Sequence, residues 1–267
     1  MMLIREILRR ASIRRLRLRA RQIADLIANP LATVYPQQLH LEEGKSRRVL
    51  VLTPHADDES FGAGGALCRH VAAGDDVRIL LFSDNVASID GKDMSYSEKL
   101  ELREHEFVNA MHILGVADFH CFRLSDRAFS AKKECPEGLM NKMIEFQPDV
   151  LYLPSLFDNH HDHRILNIWL LRTLTSVRSY RPIIRGFEVW SPLPATAVMD
   201  ISAETEKKQR MMRSYSSQLH VIDYEHHVLG LNAYRAMTVD NASRYAEAFL
   251  ELPSDAYLAF GTSLFHI

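Results

Sequence analysis

The stretch Val49-Leu50-Val51-Leu52-Thr53-Pro54-His55-Ala56-Asp57-Asp58-Glu59 decides the fold. Its first half is a short, continuous apolar run with branched side chains, the pattern of a strand buried on both faces. Its second half turns abruptly into a histidine and three carboxylates. Such a strand carries polar chemistry to its own C-terminal tip. A second stretch repeats the arrangement. Val150-Leu151-Tyr152-Leu153-Pro154 is another apolar run, and Asn159-His160-His161-Asp162-His163-Arg164 follows it.

Around these two strands, apolar runs alternate with helical patterns. Residues 49–52 read as the first strand, 61–73 as a helix closed by Gly74, and 77–82 as the second strand. Residues 95–114 read as a long helix with Gly115 as its C-cap. A third strand over 119–124, a short helix over 137–146, a fourth strand over 150–153, a helix over 165–176 and a fifth strand over 183–190 complete the series. This alternation predicts an α/β fold: a Rossmann-like, doubly wound, mostly parallel sheet with helices on both faces. Past Trp190 the pattern loosens, and 203–215 and 240–250 read as helices. No repeat or low-complexity segment interrupts the chain, so 47–267 are expected to form a single domain.

Residues 1–29 differ. Arg5, Arg9, Arg10, Arg14, Arg15, Arg17, Arg19 and Arg21 face only Glu6 and Asp25, and Leu3, Ile4, Ile7, Leu8 and Ala11 recur at helical spacing. Pro30 stops this basic amphipathic helix. Such a helix suits the surface of an anionic membrane, where the substrate would be lipid-linked. Arginines on several faces favour the alternative, a solvated helix packed on its own domain or on a partner subunit.

A formal net charge of −2 excludes a globally basic nucleic-acid binder. Cys68, Cys121 and Cys135 form no C-x-x-C pair, as expected for reduced thiols in a cytoplasmic protein. No apolar run reaches the ~18 residues of a membrane span, and the N-terminal arginines leave no apolar core for a secretory signal.

Gly62-Ala63-Gly64-Gly65 stands where a dinucleotide loop would follow the first strand. The G-x-G-x-x-G pattern fails, because Leu67 occupies the third glycine's place, and the neighbouring acids would repel phosphate. In open α/β sheets the binding crevice lies at the carboxyl ends of strands where strand order reverses. A strand order 3-2-1-4-5 makes the first and fourth strands neighbours there, bringing His55 and Asp58 to the cluster from His160 to His163. Two histidines and an aspartate around zinc leave one position open, the catalytic arrangement. Asp57, beside a ligand but pointing elsewhere, is placed to act as a proton-transferring carboxylate. A further imidazole could stabilise an oxyanion. This supply of groups points to metal-assisted hydrolysis of an amide or ester.

With these motifs the sequence resembles the PIG-L/LmbE-like family of zinc-dependent N-acetylglucosaminyl deacetylases. The family's P-H-P-D-D-E corresponds to Pro54-His55-Ala56-Asp57-Asp58-Glu59, and its H-P-D-H to His160-His161-Asp162-His163. Gly64-Gly65 matches its glycine pair, and Arg103, Glu106, Ala110, Leu114 and Gly115 match its helix motif. Lys208, Ser217-Gln218 and Glu247-Ala248-Phe249 match weaker later signatures. The resemblance implies an LmbE-like fold, Zn2+ as cofactor, and His55, Asp58 and His163 as its ligands. It implies Asp57 as general base and later proton donor, and His160 as oxyanion stabiliser, with His161 an adjacent alternative. Arg103 is a candidate substrate contact, or equally an ion-pair partner of Glu106. The substrate implied is a small N-acyl amino sugar or its conjugate. The alternatives are another small N-acyl substrate and a non-catalytic metal-binding relative. Two further departures stand out: Ala56 replaces a proline, and Ser83-Asp84-Asn85 stands where the family often has Thr-Asp-Gly.

Overall fold

A computed structural model of the chain describes residues 36–42, 45–89, 93–125, 129, 135–136, 138–177, 180–240 and 242–267. The basic helix expected over 1–29 lies outside the described residues. Strands are β1 (Gln37–Gln38), β2 (Arg48–Thr53), β3 (Asp76–Ser83), β4 (Phe119–Leu124), β5 (Val150–Pro154), β6 (Ile183–Phe187), β7 (Ala197–Asp200) and β8 (Ala246–Pro253). Helices are α1 (Asp58–Ala72), α2 (Tyr96–Leu114), α3 (Leu139–Phe146), α4 (His161–Ser176), α5 (Thr205–Arg213), α6 (Ser216–Leu219), α7 (Tyr224–Ala236) and α8 (Ser254–Phe265).

The strands form one sheet in the order β1-β7-β8-β6-β5-β2-β3-β4. Strands β4, β3, β2, β5 and β6 are mutually parallel. This is the order 3-2-1-4-5 expected from the sequence, with the reversal between β2 and β5. The alternating side chains of β2 enter different cores. Val49 and Val51 pack with Phe107 and Met111 of α2 and Met211 of α5 on one face. Leu50 and Leu52 pack with Leu166 and Trp169 of α4 on the other. All four are fully buried, each contributing about 1.5–3 kcal/mol.

The long helix α2 begins with a capping box, Ser95 accepting from the Glu98 amide and Glu98 reaching back. It ends at Gly115 with φ of 88°, a conformation glycine adopts without strain. The glycines after β2 serve packing. A Cβ on Gly65 would lie 2.6 Å from Ile201, so α1 approaches the chain after β7 only because that position has no side chain.

One expected element is different. The helix read over 240–250 is replaced by β8, which runs antiparallel to both β6 and β7. Its residues from Ala246 to Leu250 are buried throughout, and a short apolar run carries no period that separates a core strand from a buried helix. The fifth strand also ends at Phe187, short of Trp190. Among the described residues, no helix is long and apolar enough to cross a membrane.

Candidate active site

The tips of β2 and β5 meet at the switch point. After Thr53 the chain makes a tight turn through Pro54, His55, Ala56 and Asp57, then enters α1 at Asp58. Asp57 caps that helix with φ of 129°, a sparsely populated conformation whose strain the surroundings must offset. Three groups hold it. Asn85 accepts from the Ala56 amide at 2.9 Å, Glu59 accepts from the Asp57 amide at 3.3 Å, and Arg103 donates to the Ala56 carbonyl at 2.5 Å.

One oxygen of Asp58 ties the two clusters together. Its Oδ2 lies 3.1 Å from Nδ1 of His55 and 3.1 Å from Nε2 of His163. The other nitrogen of each ring faces a second carboxylate. Nε2 of His55 is 3.1 Å from Asp162, and Nδ1 of His163 is 3.2 Å from Asp158. His160 caps α4, its Nδ1 accepting from the Asp162 amide at 3.3 Å. Its ring centre is 4.9 Å from that of His55 and 4.7 Å from that of His163. His161, one residue on, is exposed.

These residues border a cavity of about 240 Å³ whose wall includes His55, Asp57, Asp58, Asn85, His160 and Gln218. Arg103 lines it too, yet its side chain is only 1 % exposed. Its guanidinium reaches Asp57 at 3.1 Å and Glu106 at 2.8 Å, and Glu106 in turn accepts from the Ser217 amide at 2.7 Å. The ion pair with Glu106 is thus formed, and Arg103 joins α2 to the Asp57 turn.

Residues 50–172 match the family described as PIG-L, GlcNAc-PI de-N-acetylase. This segment, somewhat less than half of the chain, is similar to that family. The chain is 28% identical over 122 residues to the diacetylchitobiose deacetylase of Thermococcus kodakarensis, a match covering 44% of this chain and 45% of that relative, less than half its length. The fold is similar to that of the N,N'-diacetylchitobiose deacetylase from Pyrococcus horikoshii, with a TM-score of 0.71 and 19% identity over 89% of this chain and 94% of the other. It is also similar to GalB, the 4-carboxy-2-hydroxymuconate hydratase of Pseudomonas putida KT2440, with a TM-score of 0.67 and 21% identity over 77% and 96% of the two chains.

The electrostatics of the site favour a cation. Burial disfavours a charged His55, but Asp58 and Asp162 outweigh it and raise its pKa to about 10. Burial likewise opposes charge on His163, and Asp58 and Asp158 raise it to about 9. Burial would raise Asp58, yet His163 and His55 hold it far below the usual carboxylate range. Asp57 moves the other way: burial pushes it up to about 7, with Arg103 opposing and Asp58 adding to the rise. Burial, His163 and His55 lower His160.

A metal ion fits these residues. Both ring nitrogens of the fully buried His163 lack a hydrogen bond of good geometry, although a carboxylate stands near each. A buried donor pair without hydrogen bonds is costly unless another partner satisfies it. Two overlapping sets could supply the ligands. Nitrogens of His55, His160 and His163 lie within 4.8 Å of one another, whereas Asp58 reaches His55 and His163 at 3.1 Å and brings a negative charge. The carboxylates on the far side of both rings match how metal-binding histidines are oriented.

Several wall residues were not legible as site residues. Asn85 was read only as a departure from a motif, although it stands at the end of β3, a strand-end signal. Asp162 stands inside the second motif, where nothing local marks it as a partner of His55. Trp190 was expected to end the fifth strand and Tyr224 lies where the β-α pattern has loosened, and no local signal marks either as a site residue.

Proposed function

We propose that this protein is a zinc-dependent hydrolase that removes an N-acyl group, chiefly acetyl, from the nitrogen of an amino sugar or its conjugate. The observation that carries the reading is the pairing of Asp57, a buried carboxyl raised to about 7, with the convergence of His55, Asp58 and His163 beside it. The acetylated-sugar deacetylases among the relatives support the substrate class.

His55, Asp58 and His163 would hold the metal. Asp58 is preferred over His160 as third ligand because it is closer to both rings and offsets the metal's charge. Bound zinc supplies Lewis acidity and lowers the pKa of a water from 15.7 to about 7. Asp57 takes a proton from the attacking water as a C–O bond forms at the acyl carbon. A carboxyl near neutral pKa suits both this step and the later return of the proton to the leaving amine as the C–N bond breaks. His160 accepts at Nδ1, which leaves the proton of the neutral ring on Nε2, ready to donate to the developing oxyanion. His161, exposed, has no such role. Arg103 positions the Asp57 turn.

The test is amine release from N-acetylglucosamine conjugates by zinc-loaded protein, with and without chelator. Chelator-sensitive release that falls by about 10²–10⁴ in Asp57→Asn is expected. No release from any N-acyl amino sugar, or an unimpaired Asp57→Asn protein, would refute the reading.

A further inference from the structure

Beside the polar cavity lies a second one of about 210 Å³. Phe61, Val189, Trp190 and Tyr224 belong to the walls of both. The ring of Tyr224 stacks on Phe61 at 4.9 Å and meets Trp190 edge-on at 6.0 Å, so an aromatic partition separates the two spaces. Beyond it, Ile222 and the α7 residues Val228 and Leu231 complete an apolar wall.

Of the polar side chains at this second cavity, Glu188 and Asn232 are already partnered, and His227 is exposed. Glu188 is held by Arg235 and accepts from the Leu193 amide at 2.8 Å. Asn232 accepts from Lys208 at 2.9 Å. With its deeper polar atoms satisfied internally, the space offers a ligand mainly carbon surface. Trp190 is 51% exposed, and its ring also lies over His160, with centres 6.3 Å apart. One side chain therefore touches both the candidate oxyanion group and the apolar space.

We propose that this second cavity is a subsite for an apolar group carried by the acylated amino-sugar substrate. The proposal rests on the hydrolase reading for what occupies the first cavity. An apolar protein cavity of about 150 Å³ accommodates benzene, so the space admits a group of ring or short alkyl-chain size. That group is joined to the sugar either as an aglycone or as an extended acyl chain, and both would reach the subsite past the shared aromatic wall. Leu231, Val228 and Ile222 are the specificity-determining residues.

The experiment is calorimetric titration of the zinc-loaded, full-length protein with methyl and hexyl glycosides of glucosamine, and with N-acetyl- and N-hexanoylglucosamine, in parallel with amine release from the acylated compounds. A hexyl or hexanoyl compound is expected to bind about tenfold tighter or more than its short counterpart, as burying about two methylene groups suffices for this. The arm that shows the gain identifies the side of the substrate that occupies the subsite. Leu231→Asp and, independently, Ile222→Gln should remove most of that preference. Equal binding of long and short compounds in both arms would overturn the proposal, as would a preference retained in both variants. A preference without amine release would leave the subsite standing and remove the hydrolase reading. Amine release without a preference would do the reverse.

Discussion

Asp57→Asn should make the metal-free protein more stable while abolishing its chemistry. The wild-type carboxyl moves from its ordinary 3.8 to about 7 on folding, with burial the main cause. A raised carboxyl binds its proton more tightly in the folded state, so between those values the folded protein holds protons that the unfolded chain has lost. Stability therefore falls as pH rises through this window, and the full penalty is present above about pH 7. At about 1.4 kcal/mol for each pH unit the ceiling is about 4 kcal/mol. Asparagine removes the charge and so the penalty. The ion pair with Arg103, 3.1 Å away, is lost too, but its opposing effect is already contained in the net rise to about 7, and the guanidinium keeps Glu106 and the Ala56 carbonyl. The expected gain is therefore a few kcal/mol at pH 8, up to that ceiling of about 4, shrinking to nothing near pH 4. Urea unfolding of chelated wild type and variant at pH 4.5, 6 and 8 measures it. A variant no more stable than wild type at pH 8, or a difference that does not change with pH, would refute the reasoning that burial strains this carboxylate.

Three further outcomes follow from the geometry. His163→Ala should weaken zinc retention by more than about a hundredfold in chelator competition, because losing even an outer partner of a ligand costs about 10–100-fold; unchanged retention would remove His163 from the ligand set. Lys208, fully buried, donates to Glu247 at 2.6 Å and to the Phe61 carbonyl at 2.8 Å, so Lys208→Met should cost about 3–5 kcal/mol in denaturant unfolding by leaving Glu247 as an uncompensated buried charge; a loss below about 1 kcal/mol would mean that the Gly65 and Ala66 amides, which also donate to Glu247, suffice to hold it. Gly65→Ala should destabilise by about 1–3 kcal/mol through overpacking against Ile201, and a neutral change in melting temperature would show that α1 can shift away at little cost.

The central five strands were legible because each is an apolar run closed by a polar burst, a local pattern that survives any tertiary context. Their order followed from connection rules that limit how such units wind. The strand β8 was not legible. Its identity depends on pairing with β6 and β7, and its own apolar residues fit a buried helix equally well until those neighbours are known.

The candidate site divides in the same way. The residue types and their positions at two strand tips were written in the sequence, since a metal site needs several donors and this fold brings those tips together. Which donors converge was a matter of three dimensions. His160 and His161 are adjacent in the chain, but His160 is the N-cap of α4 with extended backbone and His161 the first helical residue, so one ring borders the cavity and the other is exposed. Arg103 could be read as a substrate contact or as a partner of Glu106. Only the approach of α2 to the Asp57 turn shows that it braces the strained residue. Trp190 and Tyr224 come from separate parts of the chain, each without a motif of its own, and they meet Asn85 only at the cavity wall. By itself the sequence determined the chemical inventory and the layered scaffold, because both rest on local patterns. The tertiary structure decided which groups face one another and what shape the substrate space takes, because those depend on contacts between residues far apart in the chain.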